Sequence, residues 1–222
     1  MANAETLRIV EAETVGDGFR VRQKYLDLFR DQIPEFLIFM ADAVEAWQEF
    51  DKNPEKDEQK AHVSALVFGA INGHIVSTNL FLSGHAIPSG NQERQVIESI
   101  ATALICSDGG LPYLSQYIQG NFSTSKAVDH LSRHWERLHV LKESADTAKT
   151  AKVFYDKFSH PTLLTVAFNI SMAQQGARFL GASFDEGKIP QYQQEFTRRL
   201  SLAKTLVNFI AGVSQNWAAG DN

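Results

Sequence analysis

Residues 62–82 read HVSALVFGAINGHIVSTNLFL, and none of them is a Lys, Arg, Asp or Glu. Apolar residues fall on most sides of a helical projection of this stretch, which is typical of a helix buried on most sides. Gly69 and Gly73 have the GxxxG spacing that allows a neighbouring helix to approach closely. The stretch therefore predicts a central buried helix, against which the other helices of the chain pack.

A membrane span is the alternative interpretation, because the same stretch is just long enough to cross a lipid bilayer. Membrane-spanning helices have aromatic residues at both interfaces and basic residues that set their orientation, and neither feature flanks residues 62–82. Polar side chains also interrupt the stretch, at His62, Asn72, His74 and Asn79. We therefore expect no membrane partner and favour a helix inside a globular protein.

Helical spacing also dominates the rest of the chain, and we find no series of alternating apolar and polar runs joined by Asn-Gly or Asp-Gly turns. The sequence predicts an all-α protein, a single antiparallel bundle of about seven or eight helices over residues 17–217. A mobile N-terminal segment at 1–16 precedes this domain, and a tail at 218–222 follows it. The predicted helices lie at about 17–50 with a break at Pro34, at 59–84 and from Gln92. Further helices are predicted from an N-cap at Ser123 or Thr124 through residues 129–140, over 142–158 and 161–178, and from Pro190.

The composition excludes several classes of protein. A formal net charge of -5 argues against a protein that coats nucleic acid through overall positive charge, although a local basic strip is compatible with it. The single cysteine, Cys106, cannot form an intramolecular disulfide, and its apolar helix predicts a buried, inert thiol. The N-terminus has no basic region followed by an apolar run, so we predict a cytoplasmic protein.

Three of the seven histidines lie in the stretch DHLSRHWERLHV, residues 129–140. If the stretch is one helix with Leu131, Trp135 and Leu138 on its core face, His139 lies on the flank opposite His134. His130 and His134 are then one turn apart, which is the pair spacing of helical zinc sites. A zinc site needs at least one further ligand, and the sequence offers no HExxH or cysteine motif beside them. We therefore predict no cofactor and keep the two histidines only as candidate metal ligands.

Arg133 and His139 form an Arg-x5-His pair in the same stretch. The pair resembles the Arg-x4-6-His signature of the HEPN-superfamily ribonucleases, which are small helical proteins. The resemblance implies metal-independent RNA cleavage of the defence or toxin type, with the arginine on the scissile phosphate and the histidine moving a proton. It also implies a homodimer, and the aromatic residues Phe179, Phe184 and Trp217 offer apolar surface for contact. A solvated arginine is the alternative interpretation of Arg133.

Arg94 and Glu98 lie one turn apart in ERQVIES, residues 93–99, on the flank of a core-facing helix. The simplest interpretation is a surface ion pair worth a few tenths of a kcal/mol, roughly. The alternative is a partly buried pair, joined by groups from the helix end in FYDKFSHPT. This alternative predicts a structural polar core of Arg94, Glu98, Tyr155 and His160.

A second resemblance covers about residues 60–178. The stretch STNLFLSGHAIPSGNQERQVIES contains a helix of small and apolar residues, a short turn and an Arg-x3-Glu helix. A Tyr-x3-Ser-His helix end follows later, in YDKFSHPT. The pattern resembles a large group of bacterial all-helical proteins of unknown function that are loosely HEPN-like. The resemblance implies a helical bundle organised around Arg94, Glu98 and His160, and it implies nothing about a substrate.

Two functions of different classes follow from these observations. We favour a helical binding or interaction protein without a catalytic set, because no nucleotide-binding or serine-hydrolase motif occurs in a suitable setting. The alternative is a HEPN-like ribonuclease that uses Arg133 and His139, with RNA as its partner. Binding of a metal or a small ligand in the interior of the bundle remains a third interpretation.

Overall fold

A computed structural model describes residues 3–52 and 57–220 of the chain. In these residues the predicted all-α class is confirmed, since β-pairing is limited to one antiparallel bridge between Ile170 and Arg178. The described residues contain ten α-helices, more than the predicted seven or eight. The helices are α1 (Ala4–Val15), α2 (Phe19–Leu28), α3 (Ile33–Phe50), α4 (Glu58–Leu82), α5 (Ala86–Cys106), α6 (Tyr113–Ile118), α7 (Ala127–His134), α8 (Lys142–Tyr155), α9 (Leu163–Phe168) and α10 (Ile189–Gly220).

The higher helix count comes from short or peripheral helices. Helices α6 and α9 have six residues each, and α1 lies in the segment that the sequence assigns to a mobile N-terminus. The side chain of Asn3 caps α1 by accepting a hydrogen bond from the backbone N–H of Glu5, and α1 has no buried residue. At the other end of the chain, α10 continues to Gly220, beyond the predicted domain boundary at residue 217.

Helices α4 and α5 form a hairpin, which is the most extensive contact between two helices of the described residues. The turn uses Gly84 at φ +84°, where an added Cβ would lie 2.5 Å from Val21. Helix α5 begins at Ala86, before the predicted start at Gln92, because Pro88 falls in its first turn, where a missing N–H is tolerated. The hairpin therefore continues almost without a loop.

The close approach of α4 and α5 depends on one of the two glycines in the GxxxG pattern. An added Cβ on Gly73 would lie 3.0 Å from side-chain atoms of Gln92 and Val96 on α5. An added Cβ on Gly69 would have no atom within 4 Å. Only Gly73 of this pair therefore serves the packing of the two helices.

Helix α5 lies at the centre of the fold, because α4, α7, α8 and α10 all pack against it. Every residue from Ile100 to Cys106 is buried. Helix α4, which the sequence predicts to be buried on most sides, has a buried face and an exposed face. Beyond the first turn of α4 the exposed residues are uncharged: Ala65, Phe68, Gly69, Asn72, Ile75, Val76 and Asn79.

The apolar composition of α4 explains why a membrane span is compatible with the sequence. In the described residues α4 alone is long and apolar enough to cross a membrane, and half of its most apolar window is buried inside the protein. Its buried face packs against α3 and α5. The burial of this face thus explains why many residues of α4 are apolar.

The predicted helix at 161–178 is wrong beyond Phe168, where α9 ends. The chain that follows is held by Asp185, whose buried carboxylate accepts hydrogen bonds from the backbone N–H groups of Ala173 and Gly187. Burial raises the pKa of Asp185, but these backbone hydrogen bonds outweigh burial and the pKa is lowered. A long-range side-chain contact therefore organises this loop, and helical spacing alone did not indicate it.

Candidate functional site

A buried arginine on α10 connects three helices. The guanidinium of Arg199 is fully buried and donates through Nη1 to Oγ of Ser77, at 2.6 Å, and to Oε2 of Glu93, at 3.2 Å. Nη2 donates to Oγ of Ser89, at 2.7 Å, and to Oε1 of Glu195, at 3.0 Å. The five residues come from α4, α5 and α10, and we call them, together with His74 and Tyr155, the buried network.

The two serines of the buried network also join α4 to α5 directly. Oγ of Ser77 donates to the carbonyl of Ser89, at 2.8 Å, and Oγ of Ser89 donates to the carbonyl of Ser77, at 2.9 Å. Each hydroxyl thus donates to the opposite backbone and accepts from Arg199. The serines hold the two helices in the register that places the guanidinium between them.

His74 of α4 contacts two acceptors of the buried network through its ring nitrogens. Its Nε2 lies 3.0 Å from the carbonyl oxygen of Arg199, and its Nδ1 lies 3.1 Å from Oε2 of Glu93 with hydrogen-bond geometry. Nδ1 is also 2.9 Å from Oε1 of the same carboxylate. A carbonyl and an ionised carboxylate only accept, so both contacts are satisfied when both ring nitrogens carry a proton.

The charges of the buried network stabilise one another. Burial raises the pKa of Glu93, but the charges of His74 and Arg199 outweigh it, and the pKa of this carboxyl is lowered. Burial lowers the pKa of Arg199, but Glu93 and Glu195 outweigh it, and the pKa is raised. Both groups are therefore ionised at neutral pH although they have no contact with water.

Tyr155, at the end of α8, joins the network from the opposite side. Its hydroxyl donates to Oε1 of Glu195, at 2.9 Å. Burial and the negative charges of Glu195 and Glu93 raise the pKa of Tyr155 well above its ordinary value, so it remains a phenol. Arg198 donates to Oε2 of Glu195, at 3.3 Å, and its guanidinium lies over the ring of Phe154, 4.1 Å from the centroid.

A cleft lies above this network. Helices α8 and α10 both pack against α5, and side chains such as Tyr155 and Glu195 connect them although their backbones stay apart. The space between them is a cavity of about 350 Å³. Glu93 and Tyr155 of the buried network line it. The apolar residues of its wall are Ile97, Ala148, Ala151, Leu202 and Phe209, and the uncharged polar residues are Ser144, Thr147, Gln194, Thr197, Ser201 and Thr205.

The cleft continues in both directions along α8. A second cavity of about 830 Å³ shares Thr147, Ala151 and Arg198 with the first, and leads past Lys142 and Asp146 on the same helix. A third cavity, of about 280 Å³, shares Ser144 and Phe209 with the first and ends at His139. We use the term α8–α10 cleft for the first cavity alone.

The predicted polar core has a different composition in the structure. Nε of Arg94 donates to Oε1 of Glu98, at 3.0 Å, and Nη1 donates to Oγ of Ser159, at 3.0 Å. Nε is also 2.8 Å from Oδ1 of Asp156. The side chains of Arg94 and Glu98 are 27% and 13% exposed. Groups from the end of α8 do join this pair, and we call the four residues the rim pair cluster.

Two residues assigned to that polar core do not belong to it. The hydroxyl of Tyr155 contacts Glu195 in the buried network instead. The side chain of His160 is exposed, and its backbone carbonyl accepts a hydrogen bond from Thr165. The physical reason is that α8 ends at Tyr155, so the chain has left the helix before His160 and the helical spacing no longer sets the direction of that side chain.

Sequence reasoning missed Glu93 and Arg199, although a signal for both exists. Glu93 is four residues before Ile97, on the core-facing stripe of α5, and Arg199 is three residues after Phe196, on the stripe of α10. A charged residue at a core position is normally found only when it is paired. Two opposite charges at core positions of two helices predict a buried ion pair.

The histidine stretch is not one helix, because α7 ends at His134 and the chain then turns. His139 has a φ of +52° and lies in that turn, so its predicted position on a helical flank is wrong. Arg133, in the last turn of α7, and His139 are both exposed. In the described residues neither side chain makes a hydrogen bond or an ion pair.

His130 and His134 contact a common partner on α6. The hydroxyl oxygen of Tyr113 is 2.8 Å from Nδ1 of His130 and 3.5 Å from Nε2 of His134. Within residues 3–52 and 57–220 no group of three or more His, Cys, Asp or Glu side chains is arranged to hold a metal ion. Burial, followed by the charges of Arg133 and His134, lowers the pKa of His130.

Other side chains singled out from the sequence pack inside the chain. Cys106 is buried, and burial raises the pKa of its thiol to about 12. The ring of Phe184 packs edge-on against Tyr25, with centroids 5.1 Å apart, and Trp217 packs against Phe50. The two aromatic rings are thus half-buried within the chain.

Comparison with known proteins adds no assignment to this geometry. Neither a protein-family model nor a curated protein nor a solved structure matches the chain.

Proposed function

We propose that the chain is a binding protein that holds a small, largely apolar organic molecule in the α8–α10 cleft. The observation that carries the proposal is the cavity of about 350 Å³, whose surface is mostly apolar and whose floor belongs to the buried network. Small-molecule sites are concave and mostly apolar, with a few convergent polar groups that orient the ligand. The cleft has these properties.

The polar groups favour binding over catalysis. The hydroxyl of Tyr155 donates to Glu195, and Arg198 also donates to Glu195. Each group is therefore engaged with another protein group, and the raised pKa of Tyr155 disfavours proton transfer from it. A floor of this kind orients a ligand without supplying a nucleophile or a base.

The proposal includes the predicted antiparallel bundle as its scaffold. The pairwise packing of α4, α7, α8 and α10 on α5 supports a single core, and the short connection at Gly84 supports antiparallel α4 and α5. In such a scaffold a gap between two outer helices is a natural binding site.

Cavity filling tests the proposal. Ala151 lines the cleft, and Val153 is exposed on the same helix without lining it, so Ala151→Phe and Val153→Phe are a matched pair. Binding of indole and 2-phenylethanol is measured by calorimetry and by the rise in Tm. We expect both ligands to bind the unmodified protein and Val153→Phe, and binding to Ala151→Phe to fall at least tenfold. Equal binding to both variants would contradict the cleft as the site.

One observation favours a second function. Among the described residues His139 is the one non-glycine residue with a positive φ, and it lines the third cavity while its side chain is exposed. Metal-independent RNA cleavage by Arg133 and His139 is therefore our second proposal. Labelled RNA is incubated with the protein in EDTA beside Arg133→Ala and His139→Ala. Cleavage that both variants lose supports it, and cleavage that survives them, or no cleavage, contradicts it.

A further inference from the structure

We infer that the inner polar end of the ligand in the α8–α10 cleft is a hydrogen-bond donor, an ammonium or a hydroxyl group that binds Glu93 and Tyr155. The inference rests on the proposed binding function and names the class of ligand: an apolar body with a donating polar end. Its basis is that both network groups in the wall of the cleft offer acceptors.

Within the described residues one carboxylate oxygen of Glu93 is left without a hydrogen bond. Its carboxylate is fully buried, and its Oε2 accepts from Arg199 and from His74. No donor in residues 3–52 and 57–220 reaches Oε1 with hydrogen-bond geometry, although Nδ1 of His74 is 2.9 Å away. An ionised carboxylate cannot donate, so a ligand group that satisfies Oε1 has to be a donor.

Tyr155 is an acceptor on the same floor. Its single hydroxyl proton is donated to Glu195, so the remaining lone pairs of the oxygen are its contribution to the cleft. The donors of the network face elsewhere: Arg199 and His74 do not line the cavity, and both bind groups of the protein. The inner end of the cleft thus presents acceptors from two different helices.

The remaining polar groups of the cleft do not reverse this preference. Serine and threonine hydroxyls donate or accept equally well and accommodate either kind of ligand. Arg198 is a donor, but it is partly exposed, donates to Glu195 and lies in the wall shared with the second cavity. A carboxylate at the inner end would instead face the ionised Glu93, and two buried like charges repel strongly.

Three probes of nearly equal shape test the inference: 2-phenylethylamine, 2-phenylethanol and phenylacetate. Calorimetry at pH 7 measures their affinities for the intact protein. We expect the amine, the alcohol or both to bind at least about tenfold more tightly than phenylacetate, since an unsatisfied or repelled polar group in the cleft costs more than 1.4 kcal/mol. A preference for the amine identifies an ammonium ligand, and one for the alcohol identifies a hydroxyl ligand.

Two variants locate the preference. Glu93→Gln introduces an amide that donates as well as accepts, so we expect the preference over phenylacetate to fall at least about threefold, roughly half a power of ten. Tyr155→Phe removes one acceptor, is less disruptive to the core, and gives the same direction of change if Glu93→Gln does not fold. Val153→Phe is the control in which the preference stays unchanged.

The outcomes separate the inference from the proposed function. Equal affinity for all three probes, or tightest binding of phenylacetate, overturns the donor inference, while loss of binding in Ala151→Phe leaves the cleft as the site. Phenylacetate binding that disappears in Arg198→Ala would show that an anion binds beside Arg198, and it would also overturn the donor inference. If the intact protein binds none of the three, both the inference and the proposed function are contradicted.

Discussion

Glu93 and Arg94 are adjacent on α5, yet they belong to two polar clusters with different physics. Glu93 is fully buried and binds Arg199, whereas Arg94 is 27% exposed and binds Glu98 and Ser159 in the rim pair cluster. Both clusters contain an arginine, carboxylates and serine hydroxyls. Burial therefore decides how much each ion pair contributes to stability. Solvent screens the exposed pair, whereas the buried charges depend on each other for their stabilisation.

The two clusters also differ in what they connect. The buried network joins residues of α4, α5, α8 and α10, whereas the rim pair cluster joins α5 to the end of α8. The buried network lines the α8–α10 cleft, and the rim pair cluster does not. Loss of the first should therefore affect both the fold and the site, and loss of the second should affect neither strongly.

The largest expected effect is that of Arg199→Met. Removing the guanidinium leaves Glu93 and Glu195 buried without their shared cation, and we expect the free energy of unfolding to fall by about 3–5 kcal/mol. Urea unfolding followed by circular dichroism measures it. The matched control is Arg198→Met, the next residue on α10 and half-exposed, for which we expect about 1 kcal/mol or less.

A combined variant keeps this prediction testable if Arg199→Met does not fold. Replacing the carboxylates as well, in Arg199→Met with Glu93→Leu and Glu195→Leu, removes the unpaired charges and should recover much of the lost stability. Similar losses in Arg199→Met and Arg198→Met would show that burial does not distinguish the two arginines.

The second effect is a change in acid stability in Glu93→Gln. The pKa of Glu93 in the folded protein lies below its ordinary value of 4.5, so its ionised form contributes stability that is complete above pH 4.5 and declines as the pH falls through the lowered value. We expect Glu93→Gln to be less stable at pH 7 by about 1–3 kcal/mol. Its stability should decline less than that of the unmodified protein between pH 5 and pH 3.

Urea unfolding at several pH values between 3 and 7 measures both curves. The expected result is that the curves converge toward low pH, because protonated Glu93 resembles glutamine. Parallel curves would mean that the carboxylate is not linked to folding, and the network would then be of little electrostatic importance.

The third effect concerns the rim pair cluster. We expect Arg94→Ala and Glu98→Ala each to lower the free energy of unfolding by about 0.2–1 kcal/mol, since both side chains are partly solvated. Sodium chloride at high concentration should reduce the cost of either change, while the cost of Arg199→Met should remain. Losses as large as that of Arg199→Met would restore the predicted polar core at Arg94.

The smallest effect is expected at the histidine stretch. The charge of Arg133 is one cause, after burial, of the lowered pKa of His130. In Arg133→Ala the pKa of His130 should rise toward the ordinary 6.5, with little change in stability because Arg133 is exposed. Titration of the histidine ring signals by NMR measures it, and His139→Ala is the control that should leave His130 unchanged.

The helices themselves were largely predictable, and the site was not. Pro34 and Pro190 mark the starts of α3 and α10 in the structure as the sequence indicates, because proline is tolerated only in the first turn of a helix. Helix α7 ends at His134 and α9 at Phe168, well before the predicted ends. Helical spacing persists in the sequence beyond both points, but tertiary contacts determine where the chain turns.

The placement of functional side chains depended on which face each helix buries. The pair of Arg94 and Glu98 was recognisable in the sequence because a spacing of four residues is a local pattern. Arg199 and Glu93 are 106 residues apart, and no local pattern connects them. The available signal was a charged residue among the apolar core positions of one helix. It predicts a buried ion pair only when a second helix carries the opposite charge at a core position.

The sequence by itself determined the helical class, since backbone hydrogen bonds of a helix form between residues four apart and the apolar spacing of each segment is local. Only the tertiary structure decided that Glu93 is buried and Arg94 is not, and that a cleft between α8 and α10 lies over Glu93. The reason is physical: burying Glu93 requires Arg199 and His74, whose ring contacts a carbonyl 125 residues away in the chain. Contacts of that range exist only once α4, α5 and α10 have packed together.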